Sequence, residues 1–228
     1  MIHYHGTPIT PHAALLTMTG RHFCVSHEEP RDLAACLHIG ASVMMDNGAF
    51  SAWTRNSVPD WGAFYAWGAA HLRHPHWAVI PDVINGTDDE NDALISACPL
   101  PREFAAPVWH LHESLDRLAR LVDCWPRVCF GSSGAYREPG TPAWVARIDA
   151  AWNMLERTGR RPWAHMLRAM REASAGPWPF GSADSTNVAR NHSGSARAPA
   201  QEPELMARRI DAQNPRHVGK RAMQGALL

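Results

Sequence analysis

Ser42-Val43-Met44-Met45-Asp46-Asn47-Gly48-Ala49-Phe50 is an apolar run that closes on an acid and a glycine turn. A short run of near-continuous apolar character reads as a strand buried on both faces, which is the habit of parallel sheets. The same grammar recurs along the chain. Strands are expected near His22–Ser26, Trp77–Asp82, Ala106–His112, Arg127–Gly131, Trp163–Leu167 and Pro179–Asp184, with an eighth at Ile2–His5. Helical periodicity fills several of the gaps. Leu115, Leu118, Leu121 and Val122 recur at helical spacing within Glu113–Cys124, as do Val145, Ile148, Trp152 and Leu155 within Trp144–Leu155. Asp60 reads as the N-cap of a helix over Trp61–Leu72, and Pro142 as a first helical residue.

Strand followed by helix, repeated every roughly 20–40 residues, implies βα units and a parallel sheet. Seven or eight such strands predict an α/β fold, a compact (β/α)8 TIM-type barrel close to the lower size limit of ~200 residues. An open doubly wound sheet is the alternative. No Gly-x-Gly-x-x-Gly follows the first strand, which weakens its dinucleotide-binding version.

The chain has 228 residues, 45% hydrophobic and 19% charged, enough to bury a real core. No apolar run reaches the ~20 residues that span a bilayer, so no membrane partner is expected. The first residues lack the basic and apolar regions of a signal peptide, so a cytoplasmic location is expected (the host cytoplasm if phage-encoded). Five cysteines at irregular spacing, without Cys-x-x-Cys, signal neither a disulfide framework nor a structural zinc site.

The zero net charge conceals an asymmetry. Residues 1–156 carry 10 Arg and 17 acidic residues, a net of −7; residues 157–228 carry 12 basic and 5 acidic residues, a net of +7. Asn191–Pro203 is rich in Ser, Gly, Ala and Pro and reads as a linker. The domain plan is thus a single catalytic barrel over 1–191, then a linker, a short helix near Glu204–Ala212 and a basic tail over 192–228. A basic extension suits a polyanion, although a solvated basic face has the same composition.

Three aspartates stand where strands end: Asp46, Asp82 and Asp184. The C-terminal ends of barrel strands share one face, and active sites are built there. Any one of the three reads equally as a helix cap; three in Gly- or Ser-containing turns point to one pocket. His110 and His112 form His-x-His on one strand face, and with His165 and Asp184 they present the ligand types of a metal-dependent hydrolase. Ordinary histidine packing is the plainer alternative, and His3, His5, His71, His74 and His76 read as surface or turn residues. Phe50 is a candidate pocket wall, with packing beneath its loop as the plainer role. Gly131-Ser132-Ser133-Gly134 suits a close backbone approach to a ligand, or a simple turn. Gly-x-Ser-x-Gly is absent and no cysteine stands in an electropositive motif, which disfavours Ser and Cys nucleophiles.

The order of these motifs resembles the tRNA-guanine transglycosylase superfamily. Asp46-Asn47-Gly48-Ala49-Phe50 resembles its Asp-Ser-Gly-Gly-Phe segment, and Asp82 resembles its base-recognising aspartate. Gly131-Ser132-Ser133-Gly134 resembles its Gly-rich loop, and Asp184-Ser185-Thr186 with Arg190-Asn191 resembles the nucleophile segment. The span is about Arg21 to Asn191. No cysteine follows Cys129, so the zinc site of the tRNA enzymes has no counterpart, and the chain looks most like the zinc-free 7-deazaguanine DNA transglycosylases of phages and bacteria.

The resemblance implies exchange of guanine in a polynucleotide, DNA rather than tRNA, for a 7-deazaguanine base such as preQ0, with no cofactor and no metal. Asp184 would be the nucleophile and Asp46 the proton shuttle. Asp82, Phe50, Gly131, Ser132 and His165 would hold the base, and Arg190, Arg197, Arg208 and Arg209 the nucleic acid. A metal-dependent barrel hydrolase, a tRNA-directed transglycosylase and a non-catalytic nucleic-acid-binding barrel remain the rival expectations.

Overall fold

A computed structural model describes residues 1–195 and 199–213. The strands are β1 (Ile2–Gly6), β2 (His22–Ser26), β3 (Ser42–Asp46), β4 (Trp77–Val79), β5 (Ala105–Ala106), β6 (Val108–His110), β7 (Arg127–Gly131), β8 (Trp163–Met166) and β9 (Ser182–Ser185). They form one sheet in the order β5-β4-β3-β2-β1-β9-β8-β7-β6, and every pairing is parallel. Its two edges, β5 and β6, are separated in the chain by Pro107 alone. Proline has no N–H to give a ladder, so the run expected over Ala106–His112 breaks there. The first piece pairs with β4 and the second with β7, and Cys129 N–H donates to Pro107 O at 2.8 Å. The sheet is therefore a nearly closed parallel barrel, not an open doubly wound sheet.

Three strands expected from the sequence, His22–Ser26, Ser42–Asp46 and Arg127–Gly131, keep those limits. The run near Trp77 stops at Val79, because Pro81 cannot extend the ladder and Asp82 falls in the loop beyond it.

The helices are α1 (His12–Leu16), α2 (Leu33–Ile39), α3 (Ala49–Arg55), α4 (Trp61–Ala69), α5 (Asp88–Ser96), α6 (Leu115–Cys124), α7 (Pro142–Arg157), α8 (Met170–Ala175), α9 (Asn187–Asn191) and α10 (Pro203–Asp211). The Asp60 side chain caps α4 by accepting from Ala63 N–H, and Pro142 opens α7 behind the Thr141 cap. Among the described residues no helix is long and apolar enough to cross a membrane.

Two hydrophobic clusters divide the core. The larger one packs the helices on the outer face of the sheet, through Phe23, Val43, Trp109, Phe130, Trp144 and Ile148 among others. The smaller one, Tyr4, Met44, Trp77, Val79, Ala106, Val108 and Cys129, draws on alternate positions of six strands. Strand alternation places that second set inside the barrel. Helix α10 lies against β1 and α9, and its Met206, Ala207 and Ile210 belong to the larger cluster. The segment after the linker thus shares the barrel's core.

His3 and His5 are not surface residues. They point out from β1 beneath α10 and are only 2% and 1% exposed, because a barrel strand is covered on both faces. Asp211 of α10 meets His5 Nε2 at 3.1 Å and His3 Nδ1 at 3.4 Å, and Arg21 Nη1 holds its other oxygen at 2.7 Å. His76 is buried as well, its Nδ1 accepting from Val43 N–H at 3.0 Å.

Candidate active site

The barrel's pleat decides which end residues face its axis. Met44, Val108 and Cys129 belong to the interior cluster, and Asp46, His110 and Gly131 stand two residues further along the same strands. Asp184 lies beside the interior residue Tyr4 in the β1–β9 register. A period of two therefore turns all four toward the axis at the C-terminal mouth. Asp82 follows β4 and reaches the same place: its Oδ2 lies 2.8 Å from His110 Nε2. The negative charges of Asp184 and Asp82 both act on Asp46. The mouth thus gathers all three aspartates, which makes simple helix capping an insufficient account of them.

Each carboxylate has its own surroundings. Asp184 is 6% exposed. Its Oδ1 accepts from Arg168 N–H at 2.8 Å and faces His165 Nε2 at 3.2 Å. Its Oδ2 makes no hydrogen bond among the described residues. His165 is fully buried, with Nδ1 2.6 Å from Ser182 Oγ, and burial pulls its pKa down against the pull of Asp184. A neutral ring that donates Nε2–H to Asp184 and accepts from Ser182 satisfies both contacts. Asp184 is thus held by one oxygen and offers the other.

Asp46 accepts from Gly48 N–H at 3.1 Å and is bonded by Ser26. Gly48 has φ +80°, which an L side chain rarely adopts, so the glycine lets this turn fold back onto the carboxylate. Burial first, and then the charge of Asp184, push the Asp46 carboxyl up to about 7. A carboxyl raised to near neutrality beside a second one suits general acid–base work near neutral pH.

Asp82 is fixed on both sides. Asn47 Nδ2 donates to its Oδ1 at 2.8 Å and to Ile80 O at 2.8 Å, while Asn47 Oδ1 accepts from Ala49 N–H. His110 holds Oδ2, and the His110 Nδ1 atom is buried without a partner among the described residues. Gly131 pairs with His110 across β6–β7, and a Cβ there would meet His110 Nδ1 at 2.7 Å. Close approach, not turn geometry, therefore requires a glycine at 131. The neighbouring Ser132 hydroxyl accepts from Trp144 Nε1 at 2.9 Å, which ties the loop to α7.

Phe50 lies tilted against Trp53, whose ring is 52% exposed. The Arg168 guanidinium covers Phe50, 3.2 Å from the ring centroid. Arg190 is exposed on α9 and close enough for its charge to act on Arg168. Arg208 and Arg209 are exposed on α10, where Arg208 pairs with Glu204 at 3.2 Å and Arg209 donates to Gln201 at 2.8 Å. Arg197 lies outside the described residues, as do Arg216, Lys220 and Arg221.

The histidines separate into unlike roles. His110 pairs with Asp82, and His165 with Asp184. His112 donates Nε2–H to Gly86 O at 2.8 Å and accepts from Ser133 Oγ at 2.6 Å, so both of its nitrogens serve the loops. Among the described residues no group of three or more His, Cys, Asp or Glu is disposed to hold a metal ion. The thiols beneath the mouth are poor nucleophiles: burial pushes both Cys24 and Cys129 well above the ordinary thiol pKa, and the nearby aspartates add to it.

The aspartates and His165 singled out in the sequence lie together at the mouth, but the sequence did not signal the pairing of His110 and Asn47 with Asp82. It also missed Arg168, whose positive φ of 62° no side chain of that type signals. No family model, curated protein or solved structure matches this chain.

Proposed function

We propose that the protein is a base-exchange glycosyltransferase that replaces guanine in a polynucleotide, DNA before tRNA, with a 7-deazaguanine. Counting β5 and β6 as one strand interrupted at Pro107 makes its frame a (β/α)8 barrel. One observation carries the reading: an anchored carboxylate with an open oxygen, Asp184, shares the mouth with a second carboxyl, Asp46, raised to about 7.

The chemistry follows from those two carboxyls. Asp184 Oδ2 attacks the sugar C1′; the C1′–N9 bond breaks and its electron pair leaves with guanine, which takes a proton from Asp46. The glycosyl ester then receives the incoming base. Its N9 attacks C1′, its N9 proton passes to Asp46, and the carboxylate leaves. Two displacements retain configuration. Asp82, oriented by Asn47 and His110, faces the base as an acceptor for ring and exocyclic N–H groups, with Phe50 as a stacking wall. The target nucleotide reaches this depth only when unstacked.

Radiolabelled guanine offered with double-stranded DNA or tRNA tests the reading. Label is expected to enter DNA and to be displaced by a 7-deazaguanine chase. Label in tRNA alone keeps the mechanism and overturns the acceptor; label in neither overturns the proposal.

The rate should also depend on pH in a stated direction. The first displacement needs protonated Asp46, so exchange should fall as pH rises through about 7. Asp46→Asn should lose this alkaline limb and slow exchange by about 10²–10⁴-fold. The contribution of Asp46 to stability falls with rising pH as well. A carboxyl whose folded pKa is raised binds more protons in the folded than in the unfolded state, so its contribution declines between about pH 4 and 7. Asp46→Asn removes that decline and should stabilise the protein above pH 7, by on the order of 2 kcal/mol. A pH–rate profile and denaturant melts at pH 5 and pH 8 check both directions.

A further inference from the structure

Among the described residues Arg168 is the cation built into the mouth, and nothing in the two displacements uses its side chain. It follows β8 by two residues and has φ +62°, a left-handed conformation that costs a bulky residue about 1 kcal/mol or more. What repays that strain is its N–H, which donates to Asp184 Oδ1 at 2.8 Å. The same backbone twist directs the side chain across the site. Its guanidinium makes no ion pair or side-chain hydrogen bond among the described residues, although Asp184 and Asp46 are near enough for their charges to act on it. It lies over the Phe50 ring instead, its Cζ 3.2 Å from the ring centroid. A planar cation with five N–H donors thus covers the aromatic face that a base would stack on.

We propose that Arg168 is a two-position substrate-binding residue: in the empty site it covers Phe50 in place of the base, and with substrate it turns outward to pair with a backbone phosphate of the extruded nucleotide. This rests on the exchange reading above. The phosphate is the chemistry that fits, because guanidinium is always charged and matches phosphate oxygens through two parallel N–H donors. Exposed Arg190, whose charge already acts on Arg168, adds a second cation near it.

Arg168→Gly is the informative variant, because glycine accepts φ +62° and keeps the N–H on Asp184. The wild type and variant are compared by equilibrium binding of free guanine, and of a single-stranded guanine-containing oligonucleotide between 50 and 200 mM salt, conditions over which phosphate contacts are resolved. Uncovering Phe50 should tighten guanine binding about tenfold. Losing one phosphate contact should weaken oligonucleotide binding about tenfold and reduce its log–log salt slope by ~0.7. Arg168→Lys should keep the salt slope while still gaining guanine affinity, since an ammonium is not planar. Unchanged guanine affinity or an unchanged slope in Arg168→Gly overturns the two-position role and leaves the exchange reading standing. A wild type that binds neither probe overturns both.

Discussion

Asp184→Asn should abolish the proposed base exchange while the protein stays folded. The expected loss is on the order of 10⁴–10⁶-fold, the scale seen when a covalent nucleophile is removed. The fold survives because the amide keeps the geometry: its oxygen still accepts from Arg168 N–H, the contact made at 2.8 Å. It also removes a negative charge from a site where three carboxylates crowd together. The charge of Asp184 is the second cause, after burial, that raises Asp46. In Asp184→Asn the Asp46 pKa should therefore fall below about 7, a shift that carbon-detected titration reads without any substrate. Denaturing gels provide the chemical readout: a protein–polynucleotide adduct in the wild type, none in the variant. Exchange at the wild-type rate in Asp184→Asn would reassign the nucleophile. An unmoved Asp46 titration would show that the two acids are not coupled.

The largest expected effect on stability lies away from the chemistry, at Arg117 on α6. This side chain is fully buried. Its Nη1 donates to Glu113 Oε2 at 2.5 Å and to Val108 O at 2.8 Å, and its Nε to Asp92 at 2.7 Å. Glu113, also buried, accepts from His110 N–H at 2.7 Å and from Asn91 Nδ2 at 2.8 Å, and Asn91 in turn accepts from Val83 N–H at 2.8 Å. The network joins the end of β6 to the loop that carries Asp82. Arg117→Ala leaves the Glu113 charge buried and unpaired, which costs about 3–5 kcal/mol. The melting temperature should fall by roughly 10 °C or more for a chain of this size.

Burial already raises the Glu113 pKa, with Arg117 opposing it. Without the arginine the carboxyl rises further, so the variant's folded state takes up a proton more readily. A raised carboxyl contributes less stability as pH rises, so the deficit of Arg117→Ala should be larger at pH 8 than at pH 5. Guanidinium melts at the two pH values measure this. A deficit below about 1 kcal/mol, equal at both, would mean that the pair is not the keystone of this corner. Pairing Arg117→Met with Glu113→Gln should recover much of the loss, since no charge is then left buried.

Much of this protein is legible in its sequence because strand burial leaves a one-dimensional trace. Runs such as Ser42–Asp46 and Arg127–Gly131 are covered on both faces, so they are apolar almost throughout and end where the polar turn begins. Their ends mark the mouth, and the acids there stand out against the apolar run before them. The Asp60 cap and the helix-opening Pro142 are equally local, since each acts on the first turn of its helix. By contrast, the burial of His3 and His5 left no such trace. What covers them is a helix some 200 positions away, and a histidine reads alike whether it meets water or Asp211.

The sequence by itself determined the parallel βα frame and the placing of Asp46 and Asp184 at strand ends and of Asp82 just beyond one, since both follow from periodicity and from the chirality of the chain. Only the tertiary structure decided that the sheet curls to bring β5 and β6 together around Pro107, which joins His110 to Asp82 across 28 positions. It also decided which carboxyl is anchored and which is raised to about 7, because desolvation and through-space charge depend on neighbours that the linear order does not bring together. Arg168 belongs to that second class: its backbone twist and its place over Phe50 exist only once β8, β9 and α3 share one mouth.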